Sequence, residues 1–174
     1  MQPSDYLKEI NPEVFYHQGN YRVLNTQDIL FLKNRSKANP RKRARICLHD
    51  TPDDLIHEML IVHHRDAYVR PHAHKVQGES LQVIEGQAEA IFFDENGKLQ
   101  KIILMSNCFT DDGCPYYYRI PKGQIHALRI MSDWFVFQEV AAGPFDPDAS
   151  FFPSWSPDGK DNEIALKWLR DLTI

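Results

Sequence analysis

Residues 68–86 read YVRPHAHKVQGESLQVIEG, and two histidines in this stretch, His72 and His74, are separated by a single residue. Side chains of an extended strand alternate between its two faces, so we expect both imidazoles to point to the same side. Glu79 follows after four loop residues, and its carboxylate could turn back toward the same point. This stretch therefore predicts two imidazoles and one carboxylate that converge.

A second stretch supplies a third imidazole. Residues 120–126 read IPKGQIH, in which Pro121 and Gly123 predict a turn just before His126. Three imidazoles and one carboxylate suit one divalent transition metal, and these ligand types do not choose among Fe, Mn, Ni, Co, Cu and Zn. The predicted ligands of this metal site are His72, His74, Glu79 and His126.

The region between and around these stretches has the pattern of a β-protein. Short, alternating segments are separated by regular turn signals, including the Asn-Gly pair at 96–97 and a glycine at position 86 that suits a tight bend. Such a series predicts an all-β barrel or sandwich. The predicted strands are residues 41–48, 55–64, 68–74, 80–85, 88–93, 98–105, 125–131 and 134–140, with a polar loop at 106–115.

The spacing of the candidate ligands resembles the two motifs of the cupin superfamily. Residues 72–86 match the first motif through two histidines, a glutamate and a closing glycine, and residues 121–126 match the second. Both stand in the right order, with a region between them that reads as a hairpin. The resemblance implies a single-domain, jelly-roll-like cupin barrel in which the four predicted ligands hold the metal.

Flanking segments are similar to the WbuC family of cupin-fold metalloproteins, over residues 23–172. That resemblance implies a small bacterial metal-binding cupin, often associated with surface-polysaccharide (lipopolysaccharide or O-antigen) genes, and it implies no particular reaction. Because cupins with a terminal helix commonly pair, it also favours a homodimer. The segments that carry it are PRKRARICLH (40–49), EMLIV (58–62), YVRPHAH (68–74), YYYRIP (116–121) and GPFDP (143–147).

Two helices flank the predicted barrel. Residues 26–38 have a capping candidate in Asn25 or Thr26, an acid in the first turn and bases in the last. Residues 161–172 place Ile164, Ala165, Trp168, Leu169 and Leu172 on one apolar stripe at helical spacing. We therefore divide the chain into an N-terminal arm and helix (1–40), a cupin β-barrel (41–142), and a C-terminal loop and helix packed on the barrel (143–174).

Composition excludes several classes of protein. The 174 residues suit one domain, with 43% hydrophobic and 25% charged residues. No apolar run approaches the roughly 20 residues of a membrane helix, and residues 1–10 do not read as a signal peptide, so we expect a cytoplasmic protein without a membrane partner. The net charge of −4 argues against nucleic acid. Three cysteines without Cys-x-x-Cys spacing argue against a disulfide framework.

Basic residues are concentrated in one region. Residues 33–45 carry seven Lys or Arg and no acid, which leaves a charge of −11 on the rest of the chain. Arg43 and Arg45 share one face of the strand predicted over 41–48. That face is either a solvated strand edge, where charge blocks unwanted pairing, or an outer-pocket site for a nucleotide sugar or another polyanion.

Two further arginines are substrate-binding candidates. Arg70 shares the face of the metal-binding histidines in the strand predicted over 68–74, where it would either hold an anionic substrate group or form a structural ion pair. Arg119 shares one face with Tyr117 just before the second motif. The catalytic candidates are the acid–base side chains nearest the motifs, namely Tyr117, Glu139, His64 and its neighbour His63.

Three functional classes remain open at this stage. The first is a metal-dependent enzyme for a small oxygen-rich substrate, such as a sugar or nucleotide-sugar isomerase or epimerase. The second is an Fe(II)-dependent dioxygenase, which open coordination positions would allow, and the third is a non-catalytic module that binds a sugar or senses a metal. A metal that merely ties strands together is a fourth reading, but such sites usually have closed tetrahedral shells.

Overall fold

A computed structural model of the chain describes residues 2–110 and 113–173. The predicted loop at 106–115 therefore includes two residues that lie outside the described part. The strands are β1 (Leu7–Asn11), β2 (Val14–His17), β3 (Arg43–Cys47), β4 (Ile56–His64), β5 (Ala73–His74), β6 (Glu79–Glu85), β7 (Gln87–Phe93), β8 (Leu99–Ser106), β9 (Tyr117–Ile120), β10 (Ile125–Ile130), β11 (Trp134–Ala142) and β12 (Ser150–Phe151). The helices are α1 (Thr26–Ala38) and α2 (Asn162–Arg170).

The strands form two facing sheets. The larger sheet has the order β1-β2-β3-β4-β11-β6-β9, the smaller has the order β10-β7-β8, and β12 pairs with β5. The pairing of β2 with β3 is parallel, and the other pairings are antiparallel. The interior core takes side chains from both sheets, among them Leu81 and Phe137 from the larger and Ala90 and Phe92 from the smaller. The expected all-β barrel is thus confirmed.

Helix α1 covers the outer face of the larger sheet. Its bounds, 26–38, are those predicted, and the Asn25 side chain caps it by accepting a hydrogen bond from the Gln27 amide at 2.8 Å. Leu32 of the helix packs with Ala44 and Ile46 of β3 in a second core outside the barrel. Because side chains alternate along a strand, this packing turns the other face of β3 toward the barrel interior.

Helix α2 docks on the outer face of the smaller sheet. Leu169 packs with Ile91 and Phe93 in a third core, and the Arg129 guanidinium donates to the carbonyls of three residues at the helix end, Leu169, Arg170 and Leu172. The predicted apolar stripe is wrong at Ile164, which is 63% exposed, because Leu166 is buried in its place.

Three regions differ from the sequence-based expectation. Only Ala73–His74 is regular strand within the predicted strand 68–74, since Pro71 has no amide hydrogen to donate to a ladder. In the N-terminal arm, β1 and β2 extend the larger sheet next to β3. As a result, β3 lies between β2 and β4 and is not the edge strand that one reading of its arginines required.

The bend between β6 and β7 depends on Gly86, as the sequence predicted. Gly86 has a φ of +82°, in the left-handed region, and a Cβ added there would lie 2.0 Å from the Trp134 carbonyl oxygen. Ser132 braces the bend, since its hydroxyl donates to the same carbonyl at 2.6 Å and accepts from the Gln87 amide at 2.8 Å. The close approach of β11 leaves no space for any larger residue.

No helix in residues 2–110 or 113–173 has the length and apolar character to span a membrane.

Candidate metal centre

The two sequence motifs meet inside the barrel. His72 and His126 form an antiparallel bridge, in which the His72 amide donates to the His126 carbonyl at 3.0 Å and the reverse bond measures 2.9 Å. The ring nitrogens that His72, His74 and His126 offer lie within 4.8 Å of one another. Two imidazoles of the first motif and one from the second, about 50 residues further along the chain, thus converge on one point.

Backbone carbonyls orient two of these rings. The Nδ1 of His72 lies 2.8 Å from the Arg70 carbonyl, and the Nδ1 of His126 lies 2.9 Å from the Gln124 carbonyl. Because a carbonyl oxygen only accepts, Nδ1 is the donor in each ring and Nε2 is directed to the centre. This is the arrangement by which outer hydrogen bonds fix metal-binding histidines in proteins.

Glu79 completes the donor set. Its carboxylate is almost fully buried, with Oε2 at 3.1 Å from Nε2 of His74 and Oε1 at 3.0 Å from Nε2 of His126. The Tyr118 hydroxyl donates to the same Oε1 at 3.2 Å. The carboxylate therefore lies between two of the imidazoles, within reach of the point on which all three converge.

The protonation states suit a cation. Burial lowers the pKa of His72 to about 3, so this ring is neutral at neutral pH. Burial opposes ionisation of Glu79, but the adjacent His126 and the hydrogen bonds from His126 and His74 hold the pKa of its carboxyl well below the usual value. Burial likewise lowers the pKa of His126, but Glu79 outweighs it and leaves that pKa raised. Nitrogen donors beside one carboxylate fit a divalent transition ion.

Tyr118 supports the site from behind Glu79. We expect Tyr118→Phe to weaken metal affinity by about 10- to 100-fold, because losing an outer hydrogen bond to a ligand has effects of this size. Titration of the purified variant with Zn²⁺ in competition with a chelator would measure it. The matched control is Tyr117→Phe, which removes an outward hydroxyl from the same strand. Equal affinities in the two variants would contradict a supporting role for Tyr118.

A cavity of about 1070 Å³ extends from this centre across the barrel. Its lining includes the four predicted ligands and residues from the inner faces of β3, β4 and β11. The polar residues of that inner face include Arg43, Arg45, His63 and Glu139. The centre is thus one part of a much larger chamber.

The catalytic candidates lie in different places. Glu139 lines the cavity, and burial together with the neighbouring Glu79 raises its pKa to about 7. His63 also lines the cavity, where its ring meets the Phe137 ring edge-on. His64 points the other way and packs against Trp134. Tyr117, 49% exposed, projects from the outer face of β9.

The arginine candidates also lie in different places relative to the cavity. Arg119 is exposed on the outer face of β9, beside Tyr117. Arg43 lines the cavity, but its Nε donates to Glu13 at 3.2 Å. Arg70 lies next to the centre, where it donates to the Ser156 hydroxyl at 3.1 Å and the Pro153 carbonyl at 3.2 Å. Both of these partners are neutral, and the guanidinium also lies over the Phe152 ring, 5.3 Å from its centroid.

Residues that the sequence reasoning missed include Tyr118 and a pair of histidines. Ile120 is buried in the barrel core, and period-two alternation counted back from it would have put Tyr118, rather than Tyr117, on the inner face. His49 and His57 also line the cavity and stack with a ring separation of 4.1 Å. No motif spacing marks these two, since the strand pairing of β3 with β4 creates the contact.

Comparison with known proteins identifies the fold. A protein from Klebsiella pneumoniae subsp. pneumoniae with a double-stranded β-helix domain is 15% identical, with a TM-score of 0.54 over 78% of this chain and 99% of that one. CapF, solved with the inhibitor 3-isopropenyl-tropolone, is 20% identical, with a TM-score of 0.50 over 66% of this chain and 32% of CapF. The chain therefore has the double-stranded β-helix fold of cupin proteins.

Other comparisons are partial. An oxalate decarboxylase of Bacillus subtilis is 19% identical, with a TM-score of 0.49 over 63% of this chain, and the chain spans 27% of that enzyme's length. Residues 24–105 match a family model described as a domain of unknown function, DUF6016. That match includes His72, His74 and Glu79 and ends before His126. No curated protein matches the sequence.

Proposed function

We propose that this chain is a cupin-fold metalloprotein that binds one divalent transition metal through three histidines and a glutamate and acts on a small oxygen-rich substrate. The observation that carries the proposal is the convergence of three imidazole nitrogens within 4.8 Å, next to a buried carboxylate that bridges two of them. A divalent ion bound there supplies a Lewis acid for substrate oxygens. The proposed ligands are His72, His74, Glu79 and His126.

Charge and space favour an oxygen-rich ligand. Neutral imidazoles and one carboxylate leave a net charge of about +1 on a divalent centre, and a six-coordinate ion with four protein ligands has two positions free. The cavity volume of about 1070 Å³ is at the upper end of the range for small-molecule sites. A sugar or nucleotide sugar meets both conditions, and the resemblance to the WbuC family supports a role in surface-polysaccharide biosynthesis.

Glu139 is the acid–base group that we assign to this site. With its pKa raised to about 7, its carboxyl can both accept and donate a proton near neutral pH. It lies on the cavity wall and can reach a substrate held there. Arg70 is the proposed partner of a substrate group at the centre itself. Tyr117, His64 and Arg119 face away from the cavity and have no part in this proposal.

The proposal is tested with metal-loaded protein, chelator-treated protein and a panel of sugar phosphates and nucleotide sugars. We expect the metal-loaded protein to convert at least one member of the panel. Chelation should stop this conversion, while the chelator-treated protein still binds the same compound. Metal-dependent oxygen uptake would instead select an Fe(II)-dependent dioxygenase, and affinity without turnover would select a binding module. Neither affinity nor turnover with any panel member would contradict the proposed substrate class. The homodimer and the cytoplasmic location stay predictions from the sequence.

A further inference from the structure

Arg45 is an arginine directed into the barrel. Its neighbours Ala44 and Ile46 are buried beneath α1, so strand alternation places Arg45 on the inner face of β3, where it lines the cavity. Its Nε is buried and has no hydrogen-bond partner among the residues that the structure describes. A buried polar group without a partner is costly to stability, and in a native structure it calls for an explanation.

The other basic residues of this region do not share this property. Arg41 and Arg43 both pair with the Glu13 carboxylate, at 3.3 and 3.2 Å. Lys33 pairs with Glu85 at 2.6 Å. Within residues 2–110 and 113–173, no carboxylate lies in ion-pair distance of Arg45. On the cavity side of the basic cluster, Arg43 is therefore already in an ion pair and Arg45 is in none, although the Glu139 carboxylate and the Cys47 thiol lie near enough to feel the charge of Arg45.

His63 provides a second unpartnered group on the same wall. It pairs across the strands with Arg43, while Arg45 pairs with Ile61, so Arg45 and His63 are diagonal neighbours on one face of the sheet. The Nδ1 of His63 is also buried, and no residue of 2–110 or 113–173 forms a hydrogen bond with it. A guanidinium and an imidazole thus present free donor capacity to the same part of the cavity.

We propose that Arg45 and His63 form an oxyanion subsite that holds a carboxylate or phosphate group of the substrate, at a distance from the metal centre. Arginine suits this role because its donors match both groups in a bidentate geometry. The strand that carries Arg45 lies three strands from β6, which carries Glu79. That separation is about 14 Å along the sheet, at about 4.8 Å per strand, and less across the lumen.

This separation defines the class of ligand. Because the subsite and the metal centre lie on different strands, we infer that a ligand contacting both is longer than a two-carbon diacid, and a polyhydroxy chain of five or six carbons with a terminal oxyanion fits this description. The predicted ligand is therefore a sugar phosphate or a sugar acid. Its oxyanion binds at Arg45 and its hydroxyl or carbonyl oxygens reach the metal, and this second contact rests on the proposed function.

Calorimetric titration of the metal-loaded protein tests the subsite. The probes are glucose 6-phosphate, gluconate and neutral glucose, and the variants are Arg45→Gln and the matched control Arg119→Gln, which removes an outward charge. We expect Arg45→Gln to lower the affinity for one of the two anions by about tenfold or more, because one charge-assisted contact is lost. The affinity for glucose should not change. Whichever anion responds identifies phosphate or carboxylate as the group. Equal affinities in both variants, or no anion binding to the wild type, would overturn the subsite.

A second titration separates this subsite from the metal centre. Inorganic phosphate is added to wild-type protein, His74→Ala and Arg45→Gln. We expect binding to persist in His74→Ala and to fail in Arg45→Gln. The reverse pattern would place the anion on the metal and overturn the subsite while the proposed function stands. If the wild type binds no metal when it is titrated with divalent ions but still binds phosphate through Arg45, the subsite is supported and the proposed function is contradicted.

Thermal unfolding of Arg45→Gln shows whether a loss of anion binding comes from the subsite or from a less stable fold. The substitution removes a half-buried guanidinium whose Nε has no hydrogen-bond partner among the described residues, so we expect an unchanged melting temperature or one raised by a few degrees. A fall of more than about 5 °C would indicate that Arg45 stabilises the barrel. That result would overturn its assignment as a ligand-binding group.

Discussion

Replacing His74 with alanine is expected to remove stoichiometric metal from the protein and leave the barrel folded. His74 offers one of the three converging nitrogens, and loss of a direct ligand should weaken affinity by at least the roughly 100-fold that removal of an outer partner can produce. The fold should survive because His74 lies on a two-residue strand at the cavity, outside the three hydrophobic cores. Elemental analysis of the purified variant, with circular dichroism for the fold, measures both effects.

The matched control for this experiment is His64→Ala. His64 is also a histidine near the first motif, but it packs against Trp134 on the outer face of the sheet. We expect this control to keep the wild-type metal content. Unchanged metal content in His74→Ala would show that the four-residue assignment is wrong, and equal loss in both variants would show that the effect is not specific to the centre.

Gly86→Ala is expected to produce the largest loss of stability. A left-handed φ costs an ordinary residue about 1–2 kcal/mol. The new Cβ would also lie 2.0 Å from a backbone oxygen of β11, and forcing β6 and β11 apart should add about 1–3 kcal/mol. Together these terms predict a free energy of unfolding lower by about 2–5 kcal/mol, and a melting temperature lower by about 4–20 °C.

Gly113→Ala is the control that separates backbone strain from the collision. Gly113 has a φ of +70°, but a Cβ added there meets no atom of the described part of the chain within 4 Å. We therefore expect only the strain of about 1–2 kcal/mol in this variant. Chemical denaturation of both proteins gives the two free energies, and similar losses would contradict the role assigned to the contact with β11.

Local patterns predicted much of this molecule because the physics behind them is local. The cap, the acid of the first turn and the bases of the last define helix 26–38 from within its own sequence, and the structure has the same bounds. The one-residue spacing of His72 and His74 likewise acts locally, whereas His126 joins them through the bridge that pairs the two motifs. The bend at Gly86 needs a residue that tolerates positive φ, and glycine is the residue that provides it.

Features that depend on tertiary packing could not be predicted in the same way. Alternation in 41–48 separates the arginines from Ala44 and Ile46, but only the position of α1 decides which face is inside. The sequence alone therefore allows a solvated edge strand here, whereas β3 is an internal strand between β2 and β4. Tyr118 is different, because alternation counted back from Ile120 would have put it on the inner face, where it lies opposite Leu81 of β6.

The hydrogen bonds that hold His72 and His126 by their Nδ1 atoms have a practical consequence for metal identity. A centre whose rings are positioned by backbone carbonyls needs little rearrangement on loading, so its affinities should follow the intrinsic order of the divalent ions, with copper and zinc ahead of manganese and iron. Protein produced in a zinc-rich culture would then carry zinc whatever ion serves it in its native cell. Assigning the working metal therefore requires reconstitution with single ions under defined supply, with activity rather than occupancy as the criterion.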